Sequence, residues 1–194
     1  MRVLFVGNIV GPGAVDWLAG RLPGMRRDLG LDLVIANAEN CTVHGSTPYG
    51  GFGMRADLVA TLFANGVDVV TSGNHAWDSP DAAAVLTQPR VLRPHNLPPR
   101  PDRPGLGVVT ITTGGETVTV VNLADAGAIP DALPPYAAWR EIAATLGDAG
   151  GTVIVDFHGE SAFAKHGFAH AVAGEVAAVL GTHTHEPTTP LHLL

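Results

Sequence analysis

The chain has 194 residues, of which 46% are hydrophobic and 15% charged, so it suits an ordered domain with a substantial core and excludes a disordered segment. Its formal net charge of −7 argues against a nucleic-acid polymer as partner, because tracking a phosphate backbone needs a Lys/Arg surface; a small phosphorylated ligand stays open. A single cysteine, Cys41, excludes an internal disulfide framework, and no signal-peptide pattern or membrane-length apolar run is found, so a soluble, cytoplasmic protein without a membrane partner is expected.

Residues 2–7, RVLFVG, form an apolar run that enters a glycine-rich turn, GNIVGPG. Residues 14–30 have helical spacing, with a break expected at Pro23 and Gly24. LDLVIAN (31–37) reads as a second buried strand. Residues 54–66 form an amphipathic helix, with Met54, Leu58, Leu62 and Phe63 along one side and Gly66 as its C-cap. VDVVTSG (67–73) is a third strand, and runs this apolar between helices imply parallel strands covered on both faces. RPHNLPPRPDRPG (93–105) is a Pro-rich surface connection and no domain boundary, so residues 1–194 read as one domain. Residues 105–123 hold two β-branched runs joined by Gly114-Gly115, a hairpin signal. A helix follows near 135–147, then the strand GTVIVDFH (151–158). Residues 171–187 give a short helix or turn, a strand and a histidine-bearing loop.

The strands share an ending. The first stops at Asn8, the second at Asn37-Ala38-Glu39-Asn40 and the third at Gly73-Asn74-His75. Asp156-Phe157-His158 ends a later one, and Gly181-Thr182-His183-Thr184-His185 the last. In an open α/β sheet the carboxyl ends of parallel strands lie along one edge, where ligands bind, so side chains scattered through the sequence would converge. Taken singly, each has an ordinary structural reading. His158 could be a satisfied core histidine, Asn37 and Asn40 turn formers, Asn74 a helix cap and His75 a surface residue. His166, His170 and His192 keep that reading, each standing alone in a helical or terminal segment. His183 and His185, at i and i+2, would point the same way if extended, with little to pack against. Together the set favours ligands.

Imidazole nitrogens with carboxylate and amide oxygens form a donor set of borderline hardness, which suits Fe, Mn, Zn or Co better than Ca or Mg. The set is too large for one ion. Glu39 as a bridging carboxylate with a half-site on either side gives a two-metal centre, with ions about 3.5–4 Å apart and a bridging hydroxide able to attack phosphorus in line. His75, beside Asn74 and not needed as a ligand, is placed to protonate the leaving oxygen.

The segments GNIVG, NAEN, SGNHAWD, LRPHNLPP, VVNL, VDFHGE and GTHTHEPT occur in an order and spacing that resembles the YmdB-like calcineurin-type metallophosphoesterases, over nearly the whole chain. The resemblance implies a four-layer α/β/β/α sandwich with an abbreviated second sheet, and a dinuclear Fe or Mn centre, with Zn a further candidate. It implies hydrolysis of phosphodiesters or phosphomonoesters on a nucleotide-like small molecule, 2′,3′-cyclic nucleotides being a family substrate, and a homo-oligomer. One ion would use Asn8, Glu39, Asn40 and His185; the other Glu39, Asn74, His158 and His183, with His75 as acid.

Several features depart from the family. Asn8 stands where the family has Asp, which keeps an oxygen ligand but removes its charge. CTVHGSTPYGGFGM (41–54) is longer than the family's link and brings Cys41, His44 and Tyr49 near the site, with His44 and Tyr49 as candidate substrate contacts in a lid, or else part of a flexible loop. The family continues with further strands beyond GTHTH, and residues 122–139 lack the arginines expected there. These departures leave room for a mononuclear or non-hydrolytic metal-binding protein on the same fold. A dinucleotide-binding oxidoreductase fits poorly, because Gly7, Gly11 and Gly13 do not make G-x-G-x-x-G, and a Walker loop fails because no Lys-Ser/Thr follows Gly13.

Overall fold

A computed structural model describes residues 1–43, 51–188 and 191–194. Three parallel strands, β1 (Val3–Val6), β2 (Leu33–Asn37) and β3 (Val69–Thr71), form the first sheet in that order, with α1 (Pro12–Leu29) and α2 (Ala56–Ala64) as crossovers. A short helix, α3 (Ala82–Leu86), leads into the second sheet. Its four strands, β4 (Val108–Thr113), β5 (Glu116–Ala124), β6 (Thr152–Gly159) and β7 (Ala178–His183), also lie in sequence order. The pair β4–β5 is the expected antiparallel hairpin, and β5, β6 and β7 run parallel through α4 (Pro135–Leu146) and α5 (Ala162–Ala171).

The period-two alternation of strand side chains sets the layers. On β2, Leu33 and Ile35 face the second sheet and pack with Val69, Val118, Val120 and Ile154. Their neighbours Val34 and Ala36 face the other way, against Val15, Leu18 and Leu22 of α1 and Leu58 and Leu62 of α2. Beyond the second sheet, Val121, Leu123, Val155 and Phe157 meet Trp139 and Ile142 of α4 and Phe168 of α5. The architecture is therefore the expected four-layer α/β/β/α sandwich. Both faces of the central strands are covered, which is why β2 reads as an unbroken apolar run.

Several elements differ from expectation: α3 and α5 have no counterpart among the elements expected from the sequence, and α2 begins at Ala56 instead of Met54. The first helix does not break at Pro23 and Gly24 but runs through to Leu29, where Gly30 at φ 61° closes it by donating its N–H to Arg26 and Arg27 carbonyls. Val15, Leu18 and Leu22 form the buried stripe, and Pro23 sits on the solvent side. The lost backbone bond is thus placed where water can replace it, and tertiary packing outweighs the proline penalty.

Candidate metal centre

The carboxyl ends of β2, β3, β6 and β7 meet at one edge of the sandwich. Register places them: Asn37 pairs with Thr71, His158 with Thr182 and Gly159 with His183. The turn after β1 is tied to the same edge, with Ile9 N–H donating to Asn37 O at 2.8 Å and Gly11 N–H to Asn40 O at 2.9 Å. Gly11, at φ 81°, is required there, since a Cβ would stand 2.8 Å from the Val43 carbonyl oxygen.

Glu39 sits at the middle of the cluster and is fully buried. Its Oε1 accepts from the Asn8 amide at 3.1 Å and from Asn40 at 3.5 Å, and lies 3.3 Å from His158 Nε2. Its Oε2 accepts the His75 backbone N–H at 3.1 Å. On one side, His158 Nε2 stands 2.9 Å from Asn74 Oδ1 and 3.1 Å from His183 Nδ1. On the other, Asn40 Nδ2 meets His185 Nε2 at 3.0 Å. The Asn8 Oδ1 accepts the His183 backbone N–H at 3.1 Å. All seven residues expected as ligands are thereby brought together. The expected extended run at His183 and His185 is not found, however. His183 has φ 90° and His185 φ 58°, so the chain turns at both and aims the two rings at different partners.

His75 joins the cluster through its backbone. Its ring stacks on Phe52 with centroids 4.0 Å apart, and Nδ1 is 2.7 Å from Asp78 Oδ2. His44 and Tyr49 lie outside the described residues. Cys41 proves to be a core residue: it is fully buried, its thiol faces the Gly53 carbonyl, and burial pushes its pKa up to about 11.

Several participants were not singled out from the sequence. Gly73 allows the close approach of β3 to His158, for a Cβ there would lie 2.1 Å from Nε2. Asp156, fully buried between the sheets, accepts from the Thr71 and Thr182 hydroxyls and from the Asn37 amide. Glu160 Oε2 lies 2.7 Å from His183 Nε2. Lys165, the chain's one lysine, is buried on α5 and donates to the Thr184 and Thr188 hydroxyls at 3.1 and 3.4 Å, holding the loop that carries His185. Asp156 and Glu160 flank His158 in VDFHGE, so the motif held the signal; Lys165 carried none.

Burial dominates the electrostatics. It raises the Glu39 carboxyl to about 8, against the opposing His75 N–H, and Asp156 to about 6, against the Thr182 and Thr71 hydroxyls. It also drives His158 well below the usual imidazole range, helped by the neighbouring histidines. Such a group of imidazoles around a desolvated carboxylate wants a cation. Glu39, His158 and His183 offer ligand atoms within 4.8 Å of one another, and the buried Asn40 Oδ1 has no hydrogen-bond partner among the described residues. An orphaned oxygen beside converging lone pairs is what a resident metal ion would satisfy, so the donors fit one.

Over its whole length the chain is similar to known proteins. The chain is 29% identical to a 2′,3′-cyclic-nucleotide 2′-phosphodiesterase of Bacillus subtilis (strain 168), covering all of this chain and 70% of that protein. A crystal structure of a hypothetical protein from Thermus thermophilus superposes with a TM-score of 0.86 at 34% identity, over 100% of this chain and 72% of that one. A Mycoplasma pneumoniae structure described as a novel phosphatase gives the same TM-score, 0.86, at 28% identity, over 99% and 67%. The family model described as YmdB-like protein matches residues 4–194, and the chain belongs to that family.

Proposed function

We propose that the chain is a metal-dependent phosphoesterase that hydrolyses phosphate esters of a nucleotide-like small molecule, folded as one domain over residues 1–194. The observation that carries this is a cluster of six nitrogen and oxygen side chains around the buried Glu39 carboxylate, with Asn8, Asn40 and His158 touching it and Asn74, His183 and His185 touching those. In this reading Asn8, Glu39, Asn40 and His185 hold one transition-metal ion and Glu39, Asn74, His158 and His183 the other, Fe or Mn before Zn. When bound, the ions supply Lewis acidity toward phosphoryl oxygens and an activated water.

The chain's own residues supply the rest. Asp78 fixes the His75 ring through Nδ1, the Phe52 face limits its rotation, and Nε2 is left to protonate the departing oxygen. Burial of Glu39 and His158 keeps water from competing for the charges that develop. A nucleotide-type substrate is supported by the name of the Bacillus subtilis relative and by the chain's acidity, which disfavours a polymer.

The test is turnover of an artificial phosphodiester and of 2′,3′-cyclic nucleotides by protein loaded with Mn or Fe, alongside metal analysis. Two ions per chain with turnover is the expected result; a loaded protein inert across the panel overturns it. A second reading, a mononuclear or non-hydrolytic protein, is favoured by one contact. The Asn8 oxygen is engaged by the His183 N–H, while its amide nitrogen faces Glu39. One ion per chain would select that alternative.

A further inference from the structure

His158 touches the cluster through one ring nitrogen and a buried relay through the other. Its Nδ1 lies 3.0 Å from Thr182 Oγ1, and that hydroxyl lies 2.6 Å from Asp156 Oδ1. A hydroxyl has one proton to give. Asp156 Oδ2 already receives the Thr71 hydroxyl and the Asn37 amide at 3.2 Å, so the ionised carboxylate is surrounded by donors and accepts from each of them. The Thr182 proton therefore points to Asp156, and the hydroxyl's lone pair is left to face His158. The bond at Nδ1 then requires a proton on Nδ1 and none on Nε2.

We infer that Asp156 and Thr182 are positioning residues that hold His158 in its Nδ1–H tautomer and present the Nε2 lone pair to the space shared with Asn74, Glu39 and His183. On the opposite face, Nε2 stands 2.9 Å from Asn74 Oδ1, an amide oxygen that cannot donate to it, and 3.3 Å from Glu39 Oε1, which can donate to a bare Nε2 when that carboxyl is protonated. The 2.9 Å contact with Asn74 is already of hydrogen-bond length, so an Nε2–H would bond Asn74 and block ligation, whereas a bare Nε2 leaves converging lone pairs for a cation to satisfy. The relay also joins the sheets, since Asn37 and Thr71 belong to the first and Asp156, His158 and Thr182 to the second. A ligand's ring orientation is thereby locked to the packing of the whole sandwich. Outer partners of this kind fix tautomer and direction in metal-bound histidines.

The tautomer rests on the hydrogen-bond geometry alone; only its effect on affinity rests on the metal-centre reading. The experiment is nitrogen-15 NMR of the full chain, histidine-labelled and stripped of metal, with His158 assigned through His158→Gln. The wild type should show a protonated Nδ1 and a bare Nε2. Thr182→Val should move His158 toward Nε2–H and weaken metal binding, read by chelator competition, roughly ten- to a hundredfold. Thr182→Ser, which keeps the hydroxyl, should retain both properties and guards against a folding defect. A wild-type His158 found as Nε2–H or as imidazolium, or a tautomer unchanged in Thr182→Val, overturns the inference. The expected tautomer in a chain that binds no ion sustains it while overturning the proposed function.

Discussion

Around Glu39, the side centred on the fully buried His158, with Asn74 and His183 half-buried beside it, lies deeper in the sandwich than the side that ends in the exposed His185. The buried side has a glycine shaped to its ring and a relay of hydroxyl and carboxylate behind it. The open side has Asn8 and Asn40, two amides, and a histidine on a turning loop held by Lys165. Charge does not separate the two sides, because Glu39, which they share, is the single carboxylate among the seven residues of the cluster. An aspartate at position 8 would set two carboxylates side by side; Asn8 instead donates to Glu39, which steadies the edge before any ion arrives. Preorganisation without metal and strength with metal thus pull in opposite directions at this residue.

That contrast can be broken most severely at the shared residue. Glu39→Gln should remove both ions and all turnover while preserving shape, as metal analysis and a phosphodiester assay would register. The next effect is on stability. Burial pushes the Glu39 carboxyl from 4.5 to about 8, so folding favours its protonated form. Its contribution is complete below pH 4.5 and lost as the pH rises through about 8, a loss on the order of 4 kcal/mol in the metal-free chain. Asp156, raised to about 6, acts in the same direction over a lower window. Denaturant melts at both ends of the window should show this decline without metal and little of it with metal bound. Gly73→Ala should cost about 3 kcal/mol and disturb the buried side, because the added methyl must displace the His158 ring or β3; thermal melting and ion stoichiometry report it. His185→Ala should strip the open side alone, leaving one ion per chain and turnover down about a hundredfold. Asn8→Asp should be mildest, tightening the open side about tenfold, or 1.4 kcal/mol, in a metal titration.

Much of this was legible in the sequence, for a definable reason. β2 and β6 announce themselves as apolar runs that stop at polar residues, and the topology of parallel strands carries those stops to one edge. Glu39, His158 and their partners could therefore be named without coordinates. What sequence periodicity could not carry was tertiary. Pro23 looks like a helix breaker until the buried stripe of α1 is seen to turn it outward. Phe52 stacks on His75 only because the chain folds back on itself, whereas Asp78 reaches it through the local turn that sets i and i+3 side by side. Thr182 reads as filler between glycine and histidine, and its role depends on the register of β7 against β6.

The left-handed backbone at His183 and His185 has a cost of its own. Conformations of this kind in residues other than glycine oppose folding by about 1–3 kcal/mol each. Glycine at either position would relax the turn and remove a ring from the cluster. Selection for thermostability alone should therefore erode this loop first, and a chain evolved in the laboratory to survive heating would be expected to trade these histidines for smaller residues while its sheets stayed unchanged.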